Sequence, residues 1–226
     1  HYPVLFGPVY SNTVRNRWGG LNGMLQQYLA LEKGYIVVQV DVRGSTGYGR
    51  AFREKFLMDW GGGDLDDLES AVRYMKTLPF VDASRFGIWG SSYGGTLTVY
   101  SLLKKPGLFQ AGVAGAAATD PYLFGSDDVA IVRRPQSHPA TFTRGALQYA
   151  SNLRDHLLLI HGMQDDVVPF SSAVALAEEF MKRGKDFDFA FAPAATHGWT
   201  QRPYYATYLL RKLVAHFDRY LGPGPR

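Results

Sequence analysis

A seven-residue segment at positions 89–95 constrains the fold of this chain more than any other feature. It reads W-G-S-S-Y-G-G and contains a G-x-S-x-G pattern, with Gly90, Ser92 and Gly94 at the fixed positions. The apolar residues before it predict a short buried strand, and the residues after it predict a helix. A serine at such a sharp strand–turn–helix junction has a strained backbone, and flanking glycines let the strand and helix approach closely.

This context is typical of a nucleophile elbow, in which a serine hydroxyl is held clear of the sheet. The following backbone N–H, here that of Tyr93, points toward the same place and can stabilise a negatively charged oxygen. The alternative is a glycine- and serine-rich turn that only joins two elements. The strand and helix around Ser92 favour the catalytic interpretation.

Composition limits the classes of protein that the chain can belong to. Its 226 residues, 46% hydrophobic and 19% charged, suffice for one globular domain with a sizeable core. The sequence contains no run of about 18 apolar residues, so no membrane-spanning segment is predicted. The absence of cysteine excludes disulfides, a thiol nucleophile and cysteine-ligated metal. The net charge of +4 is scattered rather than gathered in a basic stripe, which argues against nucleic acid binding.

Strand-like and helix-like segments alternate along the chain. Strands are predicted at 4–6, 35–40, 85–89, 111–115, 157–160 and 187–191. Helices are predicted at 21–33, 64–77, 96–103, 171–183 and from Pro203 onward. This alternation predicts an α/β fold with a mostly parallel, doubly wound sheet and helices on both faces. Ligands bind at the carboxyl ends of the strands in such sheets, which is where Ser92 lies.

The domain organisation follows from the same pattern. We predict one domain over residues 1–221 and a flexible tail at 222–226, which is rich in glycine and proline. Residues 119–152 are irregular and long for a connection, so we predict an insertion or cap over the site. The chain begins with His1 rather than methionine, so targeting and compartment are not predicted.

A nucleophilic serine needs a base and an orienting acid, which follow it in the order serine, acid, histidine in this kind of fold. Of the six histidines, His197 lies in a loop after a predicted strand and after the candidate acids. His161 ends a strand before these acids, which is the wrong order for the base. Two candidates for the acid, Asp165 and Asp166, follow the end of the preceding strand. Their positions alone leave the choice between them open.

These segments together resemble the catalytic, α/β-hydrolase domain of the prolyl oligopeptidase family of serine peptidases, nearest its dipeptidyl peptidase IV and acylaminoacyl-peptidase branches. The resemblance rests on Y-P-V-L at 2–5, D-V-R-G-S-T-G-Y-G at 41–49, the acidic stretch after W-G at 60–61, the elbow at 89–95, L-L-I-H-G-M-Q-D at 158–165 and H-G at 197–198. Because these motifs occur in order over almost the whole chain, the resemblance is specific.

The resemblance implies a catalytic triad of Ser92, Asp165 and His197, with Asp166 as a neighbour that caps the following turn. It implies no metal and no cofactor.

The resemblance also implies an oxyanion hole made by the N–H of Tyr93 and the hydroxyl of Tyr10. The alternative for Tyr10 is an ordinary aromatic residue of a loop. Relatives line a substrate pocket with tyrosines in the stretch that corresponds to 121–128, where this chain offers Tyr122 and Phe124.

The implied function is a serine peptidase that hydrolyses short peptides through an acyl-enzyme. A carboxylesterase using the same triad is one alternative, and a catalytically silent, hydrolase-like interaction domain is another. Family members carry an N-terminal β-propeller and a few strands before residue 2, and this chain has neither. The sequence is therefore expected to be either a segment of a longer polypeptide or a reduced, stand-alone hydrolase. A homodimer is kept open, and no nucleic acid or membrane partner is expected.

Overall fold

A six-stranded, fully parallel sheet forms the centre of the protein. The computed structural model describes residues 1–11, 13, 20–57, 59–123, 139, 145–198 and 200–225. The strands are β1 (Tyr2–Phe6), β2 (Ile36–Val38), β3 (Val81–Ser91), β4 (Ala111–Gly115), β5 (His156–Gly162) and β6 (Asp188–Ala192). They lie in the order β2-β1-β3-β4-β5-β6. The predicted α/β class with a mostly parallel sheet is confirmed.

Helices connect the strands and cover both faces of the sheet. They are α1 (Gly20–Leu31), α2 (Arg50–Arg53), α3 (Gly63–Met75), α4 (Tyr93–Lys104), α5 (Phe170–Lys182) and α6 (Pro203–Tyr220). Short 3₁₀ helices occur at Glu54–Phe56, Pro121–Leu123 and Gly145–Asn152. None of the helices in the described part of the chain has the length and apolar character needed to cross a membrane.

The core has two halves, one on each face of the sheet. Helices α3, α4 and α5 pack on one face against strand residues such as Phe6 and Ile88. Helices α1 and α6 pack on the other face against neighbours such as Leu5 and Trp89. Adjacent strand residues therefore point to opposite halves, as the two-residue period of a strand requires. Both faces are apolar because both are covered, which explains the near-continuous hydrophobic runs in the sequence.

The connections reverse direction between β1 and β3. From β1 the chain crosses to β2 at the edge of the sheet, whereas from β3 it proceeds the other way, to β4. The carboxyl ends of β1 and β3 therefore lie where the direction of the connections reverses, and a crevice at this point is the usual ligand position in such sheets. Tyr10 follows β1 and Ser92 follows β3, so the topology places both at this crevice.

Strand β3 begins four residues earlier than the predicted strand at 85–89. Val81 pairs with Tyr2, but the register shifts before Phe86 pairs with Val4. In the irregular part, Asp82 binds the backbone N–H of Ser84 at 3.0 Å and the guanidinium of Arg85 at 2.7 Å. Because these polar residues interrupt the hydrophobic pattern, the sequence did not predict the start of the strand.

The two ends of the irregular stretch at 119–152 meet. The amide of Ala146 donates to the carbonyl of Thr119 at 2.8 Å, and Thr119 is anchored to Ser172 of α5 at 2.8 Å. A Cβ atom at Gly145 would lie 2.3 Å from the same Thr119 carbonyl oxygen, so only glycine fits there. The two ends of the stretch are therefore fixed beside each other and beside α5. That it acts as a cap stays a prediction.

The end of the chain makes defined contacts. The amide of Gly224 donates to the carbonyl of Lys33 at 2.8 Å, and Arg85 donates to the carbonyl of Pro223 at 3.3 Å. The flexibility of residues 222–226 and the boundary of the domain at 221 stay predictions.

Candidate active site

Ser92 occupies the strained turn that its sequence context predicts. It separates β3 from α4 and has φ 57° and ψ −126°, a conformation with positive φ that non-glycine residues rarely adopt. Its amide donates to the carbonyl of Gly115 at 2.9 Å, which ties the turn to the end of β4. Such strain persists only where the surrounding contacts enforce it, as they commonly do at functional sites.

Three glycines permit this turn because each lies against backbone. A Cβ atom at Gly90 would lie 2.5 Å from the carbonyl carbon of Gly94. One at Gly94 would lie 2.0 Å from the carbonyl oxygen of Val9, and one at Gly95 would lie 2.3 Å from that of Gly115. Strand β3, helix α4 and the loop after β1 thus converge within backbone contact around Ser92.

Asp165 lies in the loop after β5, at the same edge of the sheet. Its side chain has 0% exposure, and its Oδ1 accepts the amides of Val167 at 2.9 Å and Val168 at 2.8 Å. The prediction that Asp166 caps this turn is therefore wrong, because Asp165 does so itself. Asp166 instead accepts a long hydrogen bond, 3.4 Å, from the amide of His197.

The structure brings His197 and Asp165 together. Nδ1 of His197 lies 2.9 Å from Oδ2 and 3.1 Å from Oδ1 of Asp165. Since a carboxylate only accepts, we assign the proton to Nδ1, which leaves the lone pair on Nε2. Gly162 allows the two loops to meet, because a Cβ atom there would lie 2.5 Å from the carbonyl oxygen of Ala195.

The environment of Asp165 favours its ionised form. Burial alone would raise its pKa, but hydrogen bonds from His161, from His197 and from two amides hold the pKa of Asp165 well below its usual range. A carboxylate that stays ionised fixes the tautomer of His197 and would stabilise its protonated form.

His161, at the end of β5, is a second histidine on Asp165. It is 1% exposed, and its Nε2 lies 2.9 Å from the carbonyl oxygen of Val168 and 3.2 Å from Oδ2 of Asp165. A carbonyl oxygen only accepts hydrogen bonds, so we assign a proton to Nε2 of His161. This N–H donates to both the Val168 carbonyl oxygen and Oδ2 of Asp165. From the sequence, His161 was excluded as the catalytic base because it precedes the acid along the chain. Its contact with Asp165 was missed, although the H-x-x-x-D spacing was visible.

One cavity joins the elbow to the histidine. It has a volume of about 250 Å³, and Gly90 and Ser91 line it together with His197 and Gly198. His197 therefore lies beside the turn that presents Ser92.

Tyr10 and Tyr93, the two predicted oxyanion donors, pack against each other. Their ring centroids lie 6.1 Å apart with the planes at 69°, an edge-to-face arrangement. Tyr93 is the first residue of α4, where amides point out of the helix along its axis. The amide of Val9, just before Tyr10, donates to the carbonyl of Trp89 at 2.9 Å, which fixes this loop beside the end of β3.

The predicted substrate contacts are only partly described. Tyr122 lies in the 3₁₀ helix Pro121–Leu123 and is 61% exposed. The chain just before it is fixed beside the elbow helix, because Thr96 exchanges two hydrogen bonds of 2.9 Å with the backbone of Ala118. Phe124 lies outside the described residues. Binding of substrate by either residue stays a prediction.

Comparisons with known proteins identify the family of this fold. The chain matches the prolyl oligopeptidase family, a family of peptidases, over residues 22–224. It is 34% identical over 206 residues to a probable dipeptidyl-aminopeptidase B of Emericella nidulans, covering 87% of this chain and 22% of that protein. Porphyromonas gingivalis dipeptidyl peptidase 4 superposes with a TM-score of 0.86 and 32% identity, covering 96% of this chain and 31% of that one. An acylaminoacyl peptidase solved with Z-Gly-Gly-Phe-chloromethyl ketone gives a TM-score of 0.86 at 25% identity, covering 100% and 38%.

The fold and these matches therefore identify an α/β hydrolase domain of a peptidase family. The chain belongs to the prolyl oligopeptidase family. The predictions of the family, its two nearest branches and the enzyme class are confirmed. The chain spans 22% to 38% of the length of these relatives.

Replacing Gly94 by alanine should damage the elbow. The added Cβ would meet the Val9 carbonyl at 2.0 Å, backbone that cannot move aside. We expect a loss of about 1–3 kcal/mol in the free energy of unfolding, measured by urea denaturation. Gly23→Ala is the matched control, because nothing lies within 4 Å of its Cβ position in α1, and it should stabilise by up to about 1 kcal/mol. Equal effects of the two substitutions would contradict the close approach at Gly94.

Replacing Asp165 by asparagine should change how stability depends on pH. Because the folded pKa of Asp165 is lowered, its stabilising effect is complete above the unfolded pKa, about 3.9, and disappears as pH falls toward the folded value. At pH 6 the variant should lose about 1.5–3 kcal/mol, and the difference from the wild type should shrink below about pH 4.

Urea unfolding between about pH 3 and pH 7 measures this dependence. The control is Asp166→Asn, whose carboxylate is exposed, and it should follow the wild-type curve. A difference between Asp165→Asn and the wild type that is constant across this pH range would show that the charge of Asp165 is not what stabilises the fold.

Proposed function

We propose that this domain hydrolyses short peptides through an acyl-enzyme formed on Ser92. The observation that carries the proposal is the hydrogen bond of 2.9 Å between His197 and the buried Asp165. Both lie at the edge of the sheet where the strained turn presents Ser92. Ser92 is the nucleophile, His197 the base and Asp165 the acid that orients it.

In the first half of the reaction, Nε2 of His197 takes the hydroxyl proton of Ser92 while Oγ attacks the carbonyl carbon of the peptide. The electron pair of the carbonyl bond moves to its oxygen, which accepts hydrogen bonds from the amide of Tyr93 and the hydroxyl of Tyr10. His197 then gives the proton to the amine as the C–N bond breaks. An ester on Ser92 remains, and the amine leaves.

In the second half, His197 takes a proton from water as the water oxygen attacks the ester. The tetrahedral intermediate collapses, Ser92 recovers its proton from His197, and the carboxylic acid product leaves. Throughout both halves the ionised Asp165 stabilises the positive charge that His197 acquires. The proposed steps use side chains and backbone of this chain and need no metal or cofactor.

The relatives support peptides rather than esters as substrates. The three described above are named a probable dipeptidyl-aminopeptidase, a dipeptidyl peptidase and an acylaminoacyl peptidase. Since they are longer, we propose that the domain works with further domains outside this chain, such as an N-terminal β-propeller that admits short peptides. We propose that Tyr122 contacts the substrate, because the chain before it is fixed to the elbow helix. For Phe124, which lies outside the described residues, the same role rests on the family resemblance alone.

A fluorophosphonate probe tests the nucleophile. It should label the wild-type chain, and Ser92→Ala should abolish labelling and lower kcat by at least about 10⁴-fold on a peptide p-nitroanilide. The neighbouring Ser91→Ala is the matched control and should keep both properties, because Ser91 ends the strand and does not occupy the strained position.

Two outcomes of the same experiment would decide against the proposal. Hydrolysis of short-chain p-nitrophenyl esters without hydrolysis of any peptide anilide would identify an esterase. A wild-type chain that is folded but takes no label would identify a silent, hydrolase-like domain.

The assignment of the acid makes a separate prediction. Asp165→Asn should lower kcat by about 10⁴-fold, because the amide can hold His197 in the wrong tautomer. Asp166→Asn should lower kcat by less than about tenfold, since Asp166 contacts only the backbone amide of His197 and at 3.4 Å. Steady-state kinetics on the same peptide anilide would measure both, and a reversed order of the two variants would overturn the choice of acid.

A further inference from the structure

A buried carboxylate outside the triad lies behind the elbow. Asp64, the second residue of α3, is 2% exposed. Its Oδ1 accepts the amide of Leu65 at 2.8 Å. Its Oδ2 accepts the hydroxyls of Ser11 at 2.9 Å and Tyr93 at 2.6 Å. Burial raises the pKa of Asp64, and the three hydrogen bonds act against that effect because all three partners donate to the carboxylate.

The two hydroxyls on Asp64 come from the two segments that carry the proposed oxyanion donors. Tyr93 supplies one of those donors with its backbone amide, and its side chain ends on Asp64. Ser11 directly follows Tyr10, whose hydroxyl is the other proposed donor. A single oxygen atom of Asp64 therefore links the loop after β1 to the first residue of α4.

The link closes a ring of contacts around the elbow. On one side, the carbonyl of Val9 packs directly against Gly94. The ring of Tyr10 is also close there, because a Cβ atom added to Gly94 would lie 3.3 Å from Cδ2 of Tyr10. On the other side, the two segments meet at Asp64. Tyr10 and Tyr93 pack edge to face between these two points.

The segment before α3 completes the enclosure of Tyr93. The amide of Gly61 donates to the Tyr93 hydroxyl at 3.3 Å, and the ring of Trp60 packs edge to face on Tyr93 with centroids 4.9 Å apart. Burial and the nearby carboxylate of Asp64 raise the pKa of Tyr93 well above its usual value, so its hydroxyl stays a donor. Moving either segment would remove one of the two hydroxyls that donate to the buried Oδ2 of Asp64, which is costly.

We propose that Asp64 is a positioning residue that sets the separation of the Tyr93 amide from the Tyr10 hydroxyl and thereby shapes the oxyanion hole. The inference rests on the proposed function. Oxyanion donors act only when they lie at hydrogen-bond distance from the position of the developing charge, so a shift of well under 1 Å is enough to weaken them. Asp64 does not touch the reacting atoms and acts through Ser11 and Tyr93.

The test is Asp64→Asn in the whole chain, with turnover expressed per active site titrated by the fluorophosphonate probe. The asparagine keeps the shape of the side chain but replaces one accepting oxygen by an NH₂ group that cannot accept from two hydroxyls. We expect kcat on a peptide p-nitroanilide to fall by about 10- to 100-fold while KM changes by less than about threefold.

A second readout separates positioning from simple destabilisation. A peptidyl trifluoromethyl ketone forms an oxyanion on the serine, so its inhibition constant should rise by about the factor by which kcat/KM falls. A merely structural role would lower the fraction of titratable sites and leave both values per site unchanged. That result would overturn the inference.

The matched control is Asp66→Asn, in the same turn of α3 and with the same relation to the helix dipole. Asp66 pairs with Lys105 at 2.8 Å and not with the elbow, so kcat and inhibition should stay at wild-type values. If Asp66→Asn lowers kcat as much as Asp64→Asn does, the effect comes from the helix and the inference fails.

Two milder variants apply if Asp64→Asn does not fold. Tyr93→Phe and Ser11→Ala each remove one hydroxyl from Asp64, and each should lower kcat with KM nearly unchanged. Full turnover in both variants would overturn the inference. A wild-type chain that takes no probe would overturn the proposed function and this inference together, whereas an active, normally inhibited Asp64→Asn enzyme would overturn this inference alone.

Discussion

The close approach of three backbone segments around Ser92 is the constraint on which the site depends. Strand β3, helix α4 and the loop after β1 meet so tightly that a single Cβ atom at Gly90, Gly94 or Gly95 would overlap a backbone carbonyl group. This contact forces Ser92 to φ 57° and starts α4 at Tyr93. It also brings Tyr10 onto the elbow. The serine, the helix N-terminus and the second proposed oxyanion donor therefore share one packing arrangement.

Two carboxylates behind this site have opposite environments. Asp165 receives hydrogen bonds from two histidines and two amides, which lower its pKa despite burial. Asp64 receives two hydroxyls and one amide, and burial outweighs them, so the pKa of Asp64 is raised. Groups whose surroundings push their pKa values apart commonly have different roles at a site. Here one carboxylate contacts the proposed base, His197, and the other contacts the segments that carry the proposed oxyanion donors.

The sequence was sufficient to predict the fold class, the elbow and the pairing of Asp165 with His197. The first two depend on the backbone and on chain order, because glycines mark close approach and apolar strands alternate with helices. The choice of Asp165 over Asp166 came from the resemblance to the family. The contacts of Asp64 were not predicted. Its partners lie 29 and 53 residues away, and an acidic residue at the start of a helix is usually explained by the helix dipole.

The other differences between prediction and structure have a related cause, because a sequence pattern does not show which side chains come into contact. His161 was judged only by its order along the chain, which says nothing about a contact with Asp165 within the same loop. The role given to Asp166 was wrong because adjacent carboxylates are equivalent in a sequence pattern, and only the direction of the chain after β5 decides which one turns inward. The early start of β3 at Val81 was not predicted because the polar residues Asp82 and Ser84 interrupt the hydrophobic pattern.

We propose that Ser92, the amide of Tyr93 and the hydroxyl of Tyr10 surround one reacting carbonyl, with His197 on its other side. A crystal structure of the chain with a phosphonate bound covalently to Ser92 would test this arrangement. We expect the phosphonyl oxygen to lie about 2.7–3.1 Å from both the Tyr93 nitrogen and the Tyr10 hydroxyl oxygen. An adduct on Ser92 whose oxygen points away from both donors, or an adduct on another residue, would contradict it.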